Sequence, residues 1–258
     1  MATSSLPTEG GSLAAALQTS TQNLVAYSTL LLRWITKVEH LLIPNREGKL
    51  EALLESDPRE KPRLAALVCH PHPLYGGTMH NKVVFRVAKA ATQAGLPALR
   101  FNFRGVGKST GSFGEGIGER EDVKAALDYL ATRFPAVPVC LMGFSFGAGV
   151  GLRVGVNDPR VVALVGLGVP VAHTNLDFLR GVPKPKLIVQ GTLDQFAPRA
   201  EVESFYDMLA EPKQIHWVEN ADHFFTGKLE EVQRAIREWL TPGLILPGIG
   251  RSGDREIG

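Results

Sequence analysis

The chain has 258 residues, enough for one sizeable core, and 44% of them are hydrophobic against 21% charged, which suits a single α/β domain. Its 28 basic and 26 acidic residues leave a formal charge of +2, without the broad positive field that draws nucleic acid or an anionic membrane. Cys69 and Cys140 each lie in an apolar run; they read as buried thiols rather than a disulfide framework, so a reducing, cytoplasmic setting is expected.

Residues 10–32 carry no charge, but the polar run 18–23 interrupts them, so no transmembrane segment is expected there. No basic stretch precedes an apolar core, which argues against a signal peptide. Leu24, Tyr27, Leu31, Trp34 and Ile35 recur at helical spacing. They predict an amphipathic helix over 23–37 that packs on the body or on a second subunit of a homo-oligomer, with a membrane surface as the alternative. Residues 1–36 are thus an N-terminal extension, 37–241 the main domain, and 242–258 a mobile, turn-rich tail.

Residues 37–43 and 49–54 read as a hairpin around the 45–48 turn. The apolar run 64–69 is a buried strand, 81–94 a helix stopped by Gly95, and 98–102 the next strand. A helix over 119–134 opens with acidic residues that complement its dipole. Then come strand 137–142, helix 145–156, strand 161–167, strand 186–190, helix 199–209, strand 214–218 and helix 229–240. Strands alternating with helices predict an α/β fold whose mainly parallel sheet is covered on both faces. In such a sheet ligands bind at the carboxyl ends of the strands.

After strand 137–142 stands Gly143-Phe144-Ser145-Phe146-Gly147, a G-x-S-x-G pattern. It places a serine on a sharp strand-to-helix turn that tolerates little bulk on either side, and it aims the Phe146 N–H at an oxyanion. A serine hydroxyl needs a base. His223 follows the last strand and can reach Ser145 from its loop, whereas His216 is inside that strand and His40 in the first hairpin. Asp194 follows strand 186–190 and can fix the tautomer of the imidazole; Asp222 adjoins His223, and Asp177 precedes the required strand. The chain order Ser145, Asp194, His223 is the order this fold requires.

With these residues the sequence resembles the α/β-hydrolase superfamily. It is similar in particular to small bacterial serine hydrolases with a His-Pro-His-Pro-x-x-Gly-Gly loop, here His70 to Gly77. Phe101 to Ser109 and Gly191 to Pro198 also match, and the resemblance spans about 37–241. It implies hydrolysis of a small-molecule ester or a related acyl compound with no cofactor, and a second oxyanion donor in the loop that begins at His70. Pro71 and Pro73 have no N–H, which leaves His72 or Leu74; alignment with the usual His-Gly-x loop favours His72 and makes His70 the structural histidine of that loop.

Two other motifs are set aside. His70, His72 and His80 could be metal ligands, but the other candidate nearby, Cys69, is placed inside a strand; no metal is expected. Gly105 to Thr110 carries a Gly-Lys-Ser ending, yet Asn102 stands where a phosphate loop needs glycine, and no helix begins after Ser109. Only 168–185 separates the sixth strand from the acid-bearing one, room for a short helix over 173–179 and a minimal lid. The pocket is expected to be open, with Leu74, Tyr75, Phe144, Phe146, Phe196 and Phe224 as apolar walls. The expected activity is cleavage of esters with short or medium acyl chains. An amidase or peptidase with the same triad, and a non-catalytic interaction protein, are the rival readings.

Overall fold

A computed structural model describes residues 36–59 and 61–241. The expected tail over 242–258 and the helix over 23–37 fall outside the described residues, apart from Thr36 and Lys37, and Lys37 already opens a strand. Eight strands follow: β1 (Lys37–Asn45), β2 (Gly48–Ser56), β3 (Ala65–Cys69), β4 (Ala98–Phe101), β5 (Val139–Phe144), β6 (Val161–Leu167), β7 (Lys186–Gly191) and β8 (Lys213–Val218). They form one sheet in the order β1-β2-β4-β3-β5-β6-β7-β8. β2 runs antiparallel to both its neighbours, β1 and β4, and the remaining pairs are parallel.

Among the described residues five helices cover the sheet: α1 (Lys82–Gln93), α2 (Gly118–Arg133), α3 (Phe146–Gly155), α4 (Arg199–Asp207) and α5 (Leu229–Trp239). Because side chains alternate across a strand, the parallel strands feed two cores. Leu67 and Leu141 pack with Val123, Leu127 and Leu152 of α2 and α3 on one face. Val68, Cys140 and Met142 pack with Val84, Val87 and Ile236 of α1 and α5 on the other. This double burial explains why the strands read as continuous apolar runs rather than alternating ones.

Local chemistry sets the helix ends. Asn81 Oδ1 accepts from Val83 N–H at the start of α1, and Gly95 follows its last turn at φ +81°. At α2 the Glu119 carboxylate turns back to accept from the N–H groups of Gly114 and Gly116, which orders the glycine-rich approach to the helix.

Two expected elements differ. Strand β5 runs on through Gly143 and Phe144, because sheet pairing continues to Phe144 opposite Leu167; the sharp turn comes only at Ser145. The helix expected over 173–179 is one 3-10 turn, Asp177–Leu179. The 168–185 connection is short, and of residues 173–179 Leu176 and Leu179 are buried in the core.

Candidate active site

Strand β5 delivers Ser145 in a conformation few residues adopt, φ +55° and ψ −118°, immediately before α3. Its two flanking glycines make this possible. A methyl on Gly143 would lie 2.3 Å from the Gly147 carbonyl oxygen, and one on Gly147 would lie 2.5 Å from the carbonyl oxygens of Cys69 and His70. The start of α3 therefore presses against the end of β3, which sets Phe146 beside the loop that begins at His70.

The loops after β7 and β8 bring Asp194 and His223 to Ser145. His223 Nε2 lies 3.0 Å from Ser145 Oγ, and its Nδ1 lies 2.8 Å from Asp194 Oδ2. Only 4% of His223 and 5% of Asp194 is exposed. With Nδ1–H donating to the carboxylate, Nε2 is free to accept the serine proton.

The carboxylate is held in turn: the Gln190 amide donates to Asp194 Oδ2 at 2.6 Å, and Phe196 N–H donates to Oδ1 at 2.8 Å. Gln190 Oε1 accepts from Val169 N–H at 2.9 Å, so this buried side chain links the ends of β6 and β7. Gln190 was missing from the residues selected by sequence. Its signal was a polar residue closing the apolar strand LIVQ.

On the other side of Ser145 the loop from His70 to Gly77 is closed by hydrogen bonds from Tyr75 and Gly77 N–H to the His72 carbonyl. The Leu74 N–H is occupied, donating to His72 Nδ1 at 3.2 Å. Among the described residues no acceptor takes the N–H of His72 or of Phe146. Of the two donors the sequence left open, His72 is therefore the unengaged one.

His70 has both ring nitrogens engaged: Nδ1 lies 2.6 Å from the Pro71 carbonyl, and Nε2 accepts from Phe103 N–H at 3.0 Å. Its burial pushes its pKa down to about 4, against the raising effect of the Pro71 bond, so the ring is neutral and pins the loop to the end of β4. No group of three His, Cys, Asp or Glu side chains gathers as metal ligands among the described residues.

The Gly105–Ser109 turn is organised by Arg104, whose backbone N–H and guanidinium both donate to the buried Asp122. Lys108 stands exposed, far in sequence from the start of α2.

The expected walls divide. Leu74 and Tyr75 are 66% and 87% exposed, and Phe196 and Phe224 are also exposed, with ring centroids 4.9 Å and 5.3 Å from that of His223. Phe146 is half-buried and stacks 4.8 Å from His72. Phe144 is a correction: it is wholly buried, because the continuation of β5 turns it under His223, 5.2 Å between centroids. It supports the imidazole and cannot line a pocket. Phe113, overlooked inside the 111–118 glycine-rich stretch, takes up a wall position, 5.0 Å from His72 and 5.9 Å from Phe146.

A serine in hydrogen-bond reach of an imidazole that is itself oriented by a carboxylate, with two free N–H groups nearby, is equipped for acyl transfer. Comparison with known proteins agrees at the level of family. A model described as an alpha/beta hydrolase domain matches residues 66–238. An uncharacterized protein of Rickettsia prowazekii is 38% identical over 185 residues, 68% of this chain and 77% of that protein. Among solved structures, an alpha-beta serine hydrolase homologue from Coxiella burnetii is 38% identical, with a TM-score of 0.74 over 78% of this chain and 96% of that one. An α/β serine hydrolase without lid from Xanthomonas campestris is 30% identical, with a TM-score of 0.72 over 78% and 93%.

Proposed function

The chain belongs to the alpha/beta hydrolase family and is a hydrolase; from that premise we propose that it is a serine hydrolase cleaving carboxylic esters of short or medium acyl chain through Ser145, His223 and Asp194. The observation that carries the reading is the continuous relay Ser145–His223–Asp194, at 3.0 and 2.8 Å. His223 removes the Ser145 proton as Oγ attacks the ester carbonyl. Asp194 keeps Nδ1 protonated and stabilises the imidazolium that forms. The N–H groups of Phe146 and His72 hold the oxyanion. His223 then protonates the leaving alcohol, and water repeats the cycle on the acyl-enzyme.

The substrate size follows from how little covers the site. The 168–185 connection contributes one 3-10 turn, and the rim of Leu74, Tyr75, Phe196 and Phe224 is open to solvent. An apolar rim without a lid suits a small acyl group bound beside water. Lidless architecture is also what the Xanthomonas campestris hydrolase is described by.

Hydrolysis of p-nitrophenyl esters of increasing acyl length tests the reading, with Ser145→Ala beside the wild type. The wild type should turn over the shorter esters, and the variant should lose about 10⁶-fold in kcat. Equal activity in the two proteins would remove Ser145 as the nucleophile. A wild type that cleaves the matching anilide as fast as the ester would move the assignment to an amidase.

A further inference from the structure

The His223 ring is closed on most sides. Nδ1 meets Asp194 and Nε2 meets Ser145. The buried Phe144 ring lies beneath it, and a methyl on Gly168 would lie 3.1 Å from its Cε1, so the end of β6 covers that edge. Its other ring neighbours are Phe196 and Phe224, which are 42% and 50% exposed. Their planes stand at 74° and 87° to the imidazole.

The rings on the His72 side are used differently. Tyr75, Phe113 and Phe146 lie 4.6, 5.0 and 4.8 Å from His72, and Phe113 also meets Phe146 at 5.9 Å. Among the described residues, Phe196 and Phe224 meet rings other than His223 only at 6.4 Å, those of His173 and Phe144 respectively. Beyond Phe196 the surface is open, for His173 borders a groove of about 610 Å³ between 171–177 and α4. Two phenyl rings half in water beside His223 are an apolar patch that a flat apolar group would cover favourably.

The chemistry decides which half of an ester meets these rings. On the serine-hydrolase reading above, the carbonyl oxygen points at the N–H groups of Phe146 and His72. The departing oxygen faces His223 Nε2, whose proton it takes as its bond to the carbonyl carbon breaks. We propose that the alcohol half of the substrate carries an aromatic ring, which packs on Phe196 and Phe224 while the acyl half stays small. Aromatic pairs attract beyond simple area burial, so these two side chains select an arylalkyl alcohol over a saturated one of the same size.

The test uses acetates of two unactivated alcohols, 2-phenylethyl acetate and 2-cyclohexylethyl acetate, which share an acyl group and a carbon skeleton. The aromatic ester should have about tenfold the kcat/KM of the saturated one, the worth of two aromatic contacts. Phe196→Leu and Phe224→Leu each keep apolar bulk and remove a ring. Each should cut that ratio about threefold, and the double variant should bring it to about one. Taking the ratio within each protein cancels any loss common to both esters. A circular-dichroism melt checks that the variants fold.

Equal kcat/KM for the two acetates in the wild type, or a preference that survives the double variant, would overturn the proposal. So would a wild type that cleaves p-nitrophenyl acetate but neither of these acetates. The mirrored pair, methyl 3-phenylpropanoate and methyl 3-cyclohexylpropanoate, tests the choice of half. Equal rates on that pair support the alcohol side. An aromatic preference there, lost in the double variant, would overturn it by moving the ring to the acyl side. The serine-hydrolase reading fails by a different result, Ser145→Ala retaining turnover on p-nitrophenyl acetate.

Discussion

On the β7–β8 side of Ser145 the polar groups proposed to work are side chains, and each is buried and held by another. His223 meets Asp194, Asp194 meets Gln190, and Gln190 meets the backbone of Val169. On the β3 side the groups proposed to work are backbone N–H groups in a loop whose side chains, Leu74 and Tyr75, stand in water. The two sides reach comparable order by different means. One uses a chain of buried hydrogen bonds, where each unmet partner is costly. The other uses prolines, a neutral histidine and close backbone approach, which leave the outward side chains free to vary with the substrate. The base side is therefore sensitive to side-chain changes that keep the backbone, and the oxyanion side to backbone changes that keep the side chains.

The sharpest way to break this contrast is to remove one N–H. His72 has φ −54°, already suitable for proline, so His72→Pro deletes the proposed donor without forcing the backbone there. It should lower kcat on a short ester by about 100- to 1000-fold. His72→Ala keeps the N–H and loses only the imidazole that caps Leu74, so steady-state kinetics should find it much nearer the wild type. Equal losses in the two variants would mean that the imidazole, and not the backbone, carries the effect.

A smaller effect is expected on the opposite side. Gln190→Leu removes one hydrogen bond to Asp194 and leaves Val169 N–H unmet, at about 1–3 kcal/mol for the buried loss. The drop should fall mainly on kcat, about tenfold or more, because the Asp194–His223 pair is loosened while the apolar rim is untouched. An unchanged kcat would show that Phe196 N–H alone fixes the carboxylate.

The sequence made one side more legible than the other. Ser145, Asp194 and His223 could be picked out because each follows an apolar strand, and strands buried on both faces are the strongest local signal an α/β chain emits. The hairpin, the alternating order and the helix stop at Gly95 were equally readable. Local pattern failed where tertiary contact decides. Phe144 reads like a wall, beside the serine and aromatic, but pairing with β6 carries β5 two residues further and turns the ring under His223. Phe113 reads as a loop residue, and only folding of the 111–118 stretch sets it against Phe146. Gln190 belongs to a network that closes across three strands, and no spacing in the chain encodes such closure.

The smallest expected effect concerns stability rather than rate, and it isolates the histidine that pins the oxyanion side. His70 is neutral in the folded protein, with its pKa pushed down to about 4 by burial, whereas in the unfolded chain it titrates near the ordinary value of about 6.5. As pH falls through about 6.5 the unfolded chain takes up a proton that the folded protein refuses until about pH 4. The stability that His70 contributes is thus present above about pH 6.5 and is lost as pH falls toward 4. By pH 6 the loss is about 1 kcal/mol, or a fall of about 2–4 °C in melting temperature for a domain of this size. His70→Gln removes the titrating group. The variant should be less stable at pH 7.5, since it loses the fit against Phe103, but its melting temperature should fall less steeply than the wild type's between pH 7.5 and 6. Parallel curves would mean that His70 takes up its proton at the same pH folded as unfolded. The bond from Phe103 N–H to Nε2 would then contribute nothing to keeping the ring neutral, and the β3 loop would be held by its prolines and glycine closure alone.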